Sequence, residues 1–481
     1  MRNALGLLIS FTYIFLVLGL VTLLARKQGG ATEISRKLIH ILVGNWVFIT
    51  PLFTQLWAVM LVPLCFVVIN LISRKRKLFS AMERDDDGYG TVYYAISMLV
   101  LPAAAFLLHW PTLAFVGLLI MAYGDGLAAV VGKRLGKQHP FPFAPEKTLE
   151  GSATLGVVSF VVTFIALLVF QGQGALRAAS LAAVFLIALL TAAFAVFVEL
   201  ASADGCDNLS LPIATGLFAT LCLQFGNLGH YLFLLACLII LATAFRLRVI
   251  SPDGVVAALL TGQTLYALGR VWVGLSLLTF FVLGSVVTKL KNANKAQAER
   301  IQAQTRPRDW KQVLSNSLPA CILLWFACVL DRPQLALPAL AVFSAAAADT
   351  FSSEIGMLTA SPVFSITNGK PLPRGLSGGI SWLGLLAGAA GSAVLSIYAF
   401  PWFGFRGLVL CTLLGTFGSV LDSFLGAVFQ AKYRTPESGL LDASPFAGAR
   451  AFRGLSLVTN SAVNLISLSI VAAVGLMFVD L

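Results

Sequence analysis

Charge is what this chain has least of. Asp, Glu, Lys and Arg make up 11% of its 481 residues, against 58% hydrophobic residues. No polar stretch exceeds about 25 residues, so no separate soluble domain is visible. That balance fits a polytopic helical membrane protein. The apolar runs also lack the period-two alternation of an outer-membrane barrel. The seven cysteines lie mostly within apolar runs and form no Cys-x-x-Cys pair, which argues against zinc or dithiol redox chemistry. There is no Gly-x-x-x-x-Gly-Lys-Ser/Thr loop, no protein-kinase motif set and no paired His-Glu metal motif. Any phosphoryl transfer here uses another scaffold. The net charge of +12 is placed as a topology signal and not as a nucleic-acid surface.

The apolar runs divide into sixteen candidate helices, from 4–25 to 455–478. They include 38–53, the pair 254–269 and 271–289, and the pair 379–400 and 406–424. The first run is read as a spanning helix, because it is long for a signal-peptide core and no Ala-x-Ala site follows. With loops numbered alternately, all Lys and Arg except Arg2, Arg177, Arg270, Arg332 and Arg406 fall on one side. All acids except Asp331 and Asp480 join them. The positive-inside rule makes that side cytoplasmic and places the N-terminus outside. The expectation is an all-α polytopic protein of a prokaryotic inner membrane, with its chemistry facing the cytoplasm. One-sided chemistry favours an enzyme over a transporter.

Charges are costly at membrane depth and are seldom kept there without a task. One loop chemistry occurs twice. Gly124-Asp125-Gly126 is followed by Lys133, Lys137 and Lys147, then by Thr148, Gly151 and Ser152 at the start of the next run. Asp349 and Glu354 flank Ser352 and Ser353, followed by Asn368, Lys370 and Arg374, with Ser377-Gly378-Gly379 opening the next helix. Asp125 and Asp349 are 224 positions apart, and Glu199 and Asp422 are 223 apart. This offset suggests two parallel eight-helix halves, 1–228 and 229–481. An acid, a lysine and a helix start together suit phosphate and Mg²⁺: the carboxylate takes the hard cation, the ammonium and helix N–H groups the anion. Glu199 with Asp204, Asp207 and Asn208 either completes the metal site or forms a solvated loop with a helix cap. Asp85-Asp86-Asp87, beside a basic run, reads as a solvated loop. Arg36 and His40 stand one turn apart and can face one site. Asn316, Asn460 and Asn464 can bind phosphate or join helices.

The first half resembles the polyprenol kinase family, which includes dolichol kinase and phytol kinase. The resemblance rests on Ser35-Arg36-Lys37-Leu38-Ile39-His40, Gly88-Tyr89-Gly90-Thr91, Gly124-Asp125-Gly126, Lys147-Thr148-Leu149-Glu150-Gly151-Ser152, and Glu199 with Asp207-Asn208. The second half resembles a membrane family that includes phytyl-phosphate kinase. It does so through Pro252-Asp253-Gly254, Ser315-Asn316, Ala348-Asp349-Thr350, Ser353-Glu354-Ile355-Gly356, Asn368-Gly369-Lys370 and Asp422-Ser423-Phe424. These resemblances imply two consecutive reactions, in which an isoprenoid alcohol becomes its monophosphate and then its diphosphate. CTP is the implied nucleotide and Mg²⁺ the implied cofactor. Asp125 and Glu199 would hold metal in the first site, with Lys147 and Glu150 as catalytic groups; Asp349 and Asp422 would hold it in the second, with Glu354 and Lys370. Arg36, His40, Lys133, Thr148, Ser152 and Asn208 would bind substrate in the first half. Asn316, Asn368, Arg374, Ser377 and Asn460 would do so in the second. A membrane cytidylyltransferase and a transporter of anionic lipids are the competing readings.

Overall fold

The computed structural model describes residues 1–27, 33–76, 89–170, 180–203, 205–302, 307–435, 439–442 and 451–479. Asp204 and the Asp85-Asp86-Asp87 run lie outside these residues. The chain forms two compact units, Met1–Asn227 and Leu228–Leu481.

The first unit consists of α1 (Arg2–Lys27), α2 (Glu33–Gly44), α3 (Leu56–Arg76), α4 (Gly90–Leu108), α5 (Pro111–Leu119), α6 (Gly126–Leu135), α7 (Leu149–Phe170), α8 (Leu181–Ala201) and α9 (Asp207–Phe225). α5 is its axis, with every residue from Thr112 to Leu119 buried. Apolar surface gains nothing by leaving lipid, so such packing rests on close backbone approach at small residues. Here α5 and α9 meet at Gly117 and Gly216. A Cβ on Gly117 would stand 2.4 Å from the Pro212 carbonyl oxygen, and one on Gly216 2.3 Å from that of Leu113. α5 runs into a π-helical turn, Ile120–Asp125, before α6. π-turns inside helices are rare and often mark functional sites; this one delivers Asp125.

The second unit consists of α10 (Leu228–Arg246), α11 (Pro252–Lys289), α12 (Ala293–Gln302), α13 (Trp310–Leu330), α14 (Ala336–Leu358), α15 (Trp382–Ser396), α16 (Phe400–Val428) and α17 (Asn460–Leu476). Two short antiparallel pairs accompany them: β1 (Phe364–Ser365) with β2 (Gly379–Ile380), and β3 (Tyr433–Thr435) with β4 (Gly439–Leu441). α14 is the axis, buried continuously from Ala336 to Ala348. Gly388 and Gly391 of α15 and Gly415 and Gly418 of α16 let those helices lie against Ala348, Phe351, Ser344 and Ala345.

Among the described residues, twelve helices are long and apolar enough to cross a membrane. The count falls short of the expected sixteen partly because two of the twelve each hold one expected pair, 254–269 with 271–289 and 379–400 with 406–424. α11 breaks at Arg270, where φ is 55°. A Cβ on Gly262 would stand 3.8 Å from Leu277 Cδ2, although fifteen residues of straight helix extend about 22 Å. The chain therefore doubles back at Arg270. α15 and α16 likewise lie antiparallel across a turn at Gly404 (φ 59°), and the Ser392 hydroxyl donates to the Thr412 carbonyl at 2.9 Å. Segment 38–53 is not one helix, because α2 gives way to a 3-10 helix, Asn45–Leu52, containing Pro51. α17 has 17 residues and is a shorter apolar helix.

The α5–α9 contact yields a stability prediction. Gly117→Ala forces a backbone shift and should cost about 1–3 kcal/mol. Gly19→Ala has nothing within 4 Å of the new methyl and should leave stability unchanged or raised. Thermal denaturation of the two variants in detergent checks this; equal melting temperatures would refute the close-packed α5–α9 seam.

Candidate functional sites

In the first unit, helices distant in sequence converge on Asp125. The residue is 5% exposed. Lys37 Nζ lies 2.6 Å from its Oδ2, and His40 Nε2 lies 3.6 Å from the same oxygen. Lys37 and His40 are three apart on α2 and so share a face. His40 Nε2 also lies 3.2 Å from the Met121 carbonyl. Its ring stacks on Tyr94 at 4.2 Å, and the Tyr94 hydroxyl donates to the His40 carbonyl at 2.9 Å. Glu199, 6% exposed, closes α8. Lys147 Nζ reaches its Oε1 at 2.6 Å, while Oε2 is buried with no hydrogen-bond partner among the described residues. Burial would depress the Lys147 pKa, but Glu199, and more weakly Asp207 and Asp125, hold it above the usual lysine value. Two lysines and three acids thus form one network.

The loop between α6 and α7 shows how sequence positions Lys147. The Thr148 hydroxyl oxygen accepts the Gly151 N–H at 3.1 Å, so Thr148 opens α7 as expected. Ser152 is buried on the first turn, its hydroxyl without a partner among the described residues. Glu150 does something different from its expected role: its carboxylate accepts the Lys137 N–H at 3.1 Å and braces the loop. Lys133 is exposed at the end of α6, and Arg36 is half-buried on α2. Asn208 sits against Gly90, where a Cβ would meet its Nδ2 at 2.7 Å. Asp207 accepts the Asn208 N–H at 2.8 Å, and α9 has no side-chain cap.

In the second unit the acids line a cavity of about 880 Å³, bounded by α11, α13, α14, α16, α17 and the loop before α15. Asp349 and Asp422 face it, as do Glu354, Asn316, Asn460 and Asn464. Asp422 Oδ2 accepts from the Ser467 hydroxyl at 3.0 Å, and from the Asn464 amide at 3.2 Å when that amide is turned with its nitrogen toward the carboxylate. Asp349 makes no hydrogen bond or ion pair among the described residues. Glu354, expected as a catalytic group, is held through its Oε2 by Lys295, 1% exposed, at 2.6 Å. The same ammonium donates to the Thr288 and Leu290 carbonyls at 2.6 and 2.9 Å and so caps α11.

Three expectations for the following loop change. Ser377-Gly378-Gly379 does not open a helix. Gly379 belongs to β2, and Ser381 caps α15 by accepting the Gly384 N–H at 3.1 Å. Asn368 and Lys370 turn outward at the tip of the β1 region, exposed and away from the cavity wall. Arg374 and Ser377 do reach that wall. Asp442 and Lys432, absent from the sequence-derived set, clamp Ser377. Asp442 Oδ2 accepts its N–H and hydroxyl at 2.6 and 2.7 Å, and Lys432 Nζ donates to its carbonyl at 2.8 Å. Burial raises the Asp442 pKa above the usual carboxylate value, against the pull of the Ser377 donors and Lys432.

Lys37, Lys295, Arg308, Lys432 and Asp442 were all missed from sequence. Only Lys37 carried a signal, its i, i+3 relation to His40. Among the described residues, no three His, Cys, Asp or Glu side chains converge closely enough to hold a metal. Hard oxygen donors are nevertheless present: Asp349 is unpaired and Asp422 has only neutral donors, a set that suits Mg²⁺ bound through one or two carboxylates plus substrate phosphates.

Comparison with known proteins adds to this geometry. The family model of the integral membrane protein DUF92 matches residues 235–472, within the second unit. The phytol kinase of Synechocystis sp. is 32% identical over 213 residues, covering 44% of this chain and 88% of that protein. This chain belongs to a family of integral membrane proteins that includes phytol kinase. An uncharacterised membrane protein of Methanocaldococcus jannaschii is 32% identical, covering 38% of this chain and 76% of that one. Phytol kinase 1 of Arabidopsis thaliana is 28% identical, covering 39% and 66%. No solved structure matches.

The Lys147–Glu199 pair gives a prediction with a defined pH dependence. Lys147→Met strands a buried carboxylate and should cost about 3–5 kcal/mol. Because folding raises the Lys147 pKa, its contribution is complete below the ordinary lysine value and is lost as pH rises through the higher folded value. The stability gap between wild type and Lys147→Met should therefore hold through neutral pH and shrink only in strongly alkaline buffer. A gap that vanished near pH 7 would contradict the ion pair.

Proposed function

We propose that this chain is a membrane isoprenoid kinase with two active sites, one in each unit, acting in sequence on an alcohol and then on its monophosphate. The observation that carries the reading is a pairing of burial with charge. Asp125 and Asp349 lie on the two spans, Pro111–Leu135 and Pro333–Leu358, that are 72% buried, the largest share among the twelve. Asp125 is gathered with Lys37 and His40 of another helix, and Asp349 shares its cavity with Asp422, Arg308 and Arg374. The phytol kinase relatives supply the substrate class, a long-chain isoprenoid alcohol.

The two chemistries differ in what they demand. An alcohol oxygen must lose its proton as it attacks the γ-phosphorus of a nucleoside triphosphate, while the bond to the β-phosphoryl oxygen breaks and the diphosphate leaves. A base within reach of the hydroxyl is needed. Asp125 serves in that role, Lys37 and His40 holding its carboxylate, and Lys147 offers cation density to the phosphates. A phosphomonoester oxygen is already ionised and needs no base, but two anions must be brought together. Arg308, Lys311 and Arg374 line the second cavity and offset that repulsion. Asp349 and Asp422 would hold Mg²⁺, whose chemistry there would be to offset the charge on the phosphates. CTP is our choice of nucleotide on the family resemblance alone. The basic loops face the cytoplasm in this reading, and one chain keeps the amphiphilic intermediate near its second site.

Purified protein given geranylgeraniol, CTP and Mg²⁺ should yield diphosphate and release CDP. Asp349→Asn should accumulate monophosphate, and Asp125→Asn should fail on the alcohol yet still convert added monophosphate, each losing on the order of 10²–10⁴ in its own step. Pyrophosphate release would indicate a cytidylyltransferase, and lipid flux without nucleotide turnover a transporter. Both steps surviving both substitutions would refute the site assignment.

A further inference from the structure

A short chain segment between α12 and α13 places a guanidinium where none was expected. The backbone there is pinned. The Arg308 N–H donates to the Val249 carbonyl at 2.9 Å, and the Arg308 carbonyl accepts from the Ser251 N–H at 3.0 Å. Ser251 and Asp253, hydrogen-bonded to each other, close the corner, and Asp253 also accepts the Trp310 N–H at 3.4 Å. The side chain is thereby directed inward beneath α11. Its Cζ lies 5.6 Å from the Phe281 ring centroid.

Two features make this arginine unusual. First, its guanidinium, half-buried on the cavity wall, has no hydrogen bond or ion pair among the described residues, so its N–H groups face the cavity. Burial lowers its pKa, with Glu354 opposing that shift from nearby. Glu354 itself is taken by Lys295. An arginine fork facing a polar cavity, with no carboxylate of the folded chain paired to it, is placed to receive an anion that enters that cavity. Second, Arg308 lines two cavities at once. One is the polar cavity of Asp349 and Asp422. The other is a small apolar pocket of about 50 Å³ between α10, α11 and α13, walled by Cys237, Leu241, Leu277, Phe280 and Phe281. Phe280, Gln312 and Asn316 also belong to both. Beside that pocket the outer face of α10 exposes Leu235, Leu238 and Ile239, a face suited to lipid.

We propose that Arg308 anchors the phosphate of the second site's lipid substrate, with the first carbons of its hydrocarbon chain seated at the Leu241–Leu277–Phe281 pocket and the rest running toward the bilayer. A phosphomonoester presents oxygens that match the planar fork of a guanidinium bidentately, as an ammonium cannot. The apolar pocket next to it takes a hydrocarbon and not a second charged group. The junction therefore selects an amphiphile, with its phosphate in the polar cavity and its tail toward the bilayer, over free phosphate or a nucleotide alone. This rests on the two-site reading above for the identity of the lipid. It does not need that reading's account of transfer.

The test is equilibrium binding of radiolabelled geranylgeranyl monophosphate to the full-length protein in nanodiscs, without nucleotide. Geranylgeraniol and inorganic phosphate serve as competitors. Wild type should bind the monophosphate in competition with unlabelled monophosphate far better than with either competitor. Arg308→Gln should weaken binding by about 30-fold or more, and Arg308→Lys, which keeps charge but not the fork, by about 10-fold. Leu277→Trp, which fills the pocket and leaves Arg308 intact, should weaken the prenyl ligand while sparing a short-chain alkyl phosphate. Melting temperatures within a few degrees of wild type, or Arg308→Lys folding normally where Arg308→Gln does not, keep the comparison valid. Unchanged affinity in Arg308→Gln, or equal competition by inorganic phosphate, overturns the proposal. Arg308-dependent binding in a protein that shows no kinase turnover would sustain it while removing the catalytic reading.

Discussion

A carboxylate carried by a deeply buried span is the constraint on which both units turn. α5 and the first half of α14 are buried continuously; Asp125 follows α5 on the π-turn, and Asp349 sits within α14 just past its buried stretch. Such an acid is expensive unless cations, hydrogen-bond donors or water meet it there. The surrounding architecture can be read as what is required to meet it. α2 brings Lys37 and His40 to Asp125, the α6–α7 loop brings Lys147 to Glu199, and α17 brings Ser467 to Asp422, while Asp349 faces the cavity.

The two units meet the requirement differently. In the first, each buried acid has its own lysine, at 2.6 Å in both cases, and the network is closed by protein groups. In the second, one acid, Glu354, has a lysine, and the remaining acids open onto a cavity whose basic groups stand on its wall. A closed network holds a proton acceptor in a fixed place. An open cavity with unpaired groups of both signs is completed by what binds in it.

Small residues make both arrangements possible. The positioning of Asp125 depends on Gly117 and Gly216 bringing α5 against α9, and that of Asp349 on the glycines of α15 and α16. In lipid there is no hydrophobic gain from helix association, so dispersion at close approach has to supply it. A methyl group at such a contact shifts the axis helix, and the acid moves with it.

The helical membrane class was legible because hydrophobic runs of spanning length admit few other structures, and because backbone polar groups in lipid must be satisfied within a helix. The acids at 125, 199, 349 and 422 were legible because charges at membrane depth are conspicuous against an apolar background. What the sequence hid falls into two kinds. The break of 38–53 into two helix types depends on local backbone geometry that hydropathy does not register, whereas the runs that reverse at Arg270 and Gly404 were already separate in the sequence. The partners Lys295, Arg308, Lys432 and Asp442 lie in polar segments without periodicity, so nothing local distinguishes them from surface charge. The same limit misplaced Lys370 and Asn368, which occupy a motif-like position yet point outward. Sequence by itself determined the solvent and the isolated acids, since both follow from composition along the chain. Which cation meets which acid was decided only by tertiary structure, because those pairs are 52 to 88 residues apart and exist only once the helices have packed.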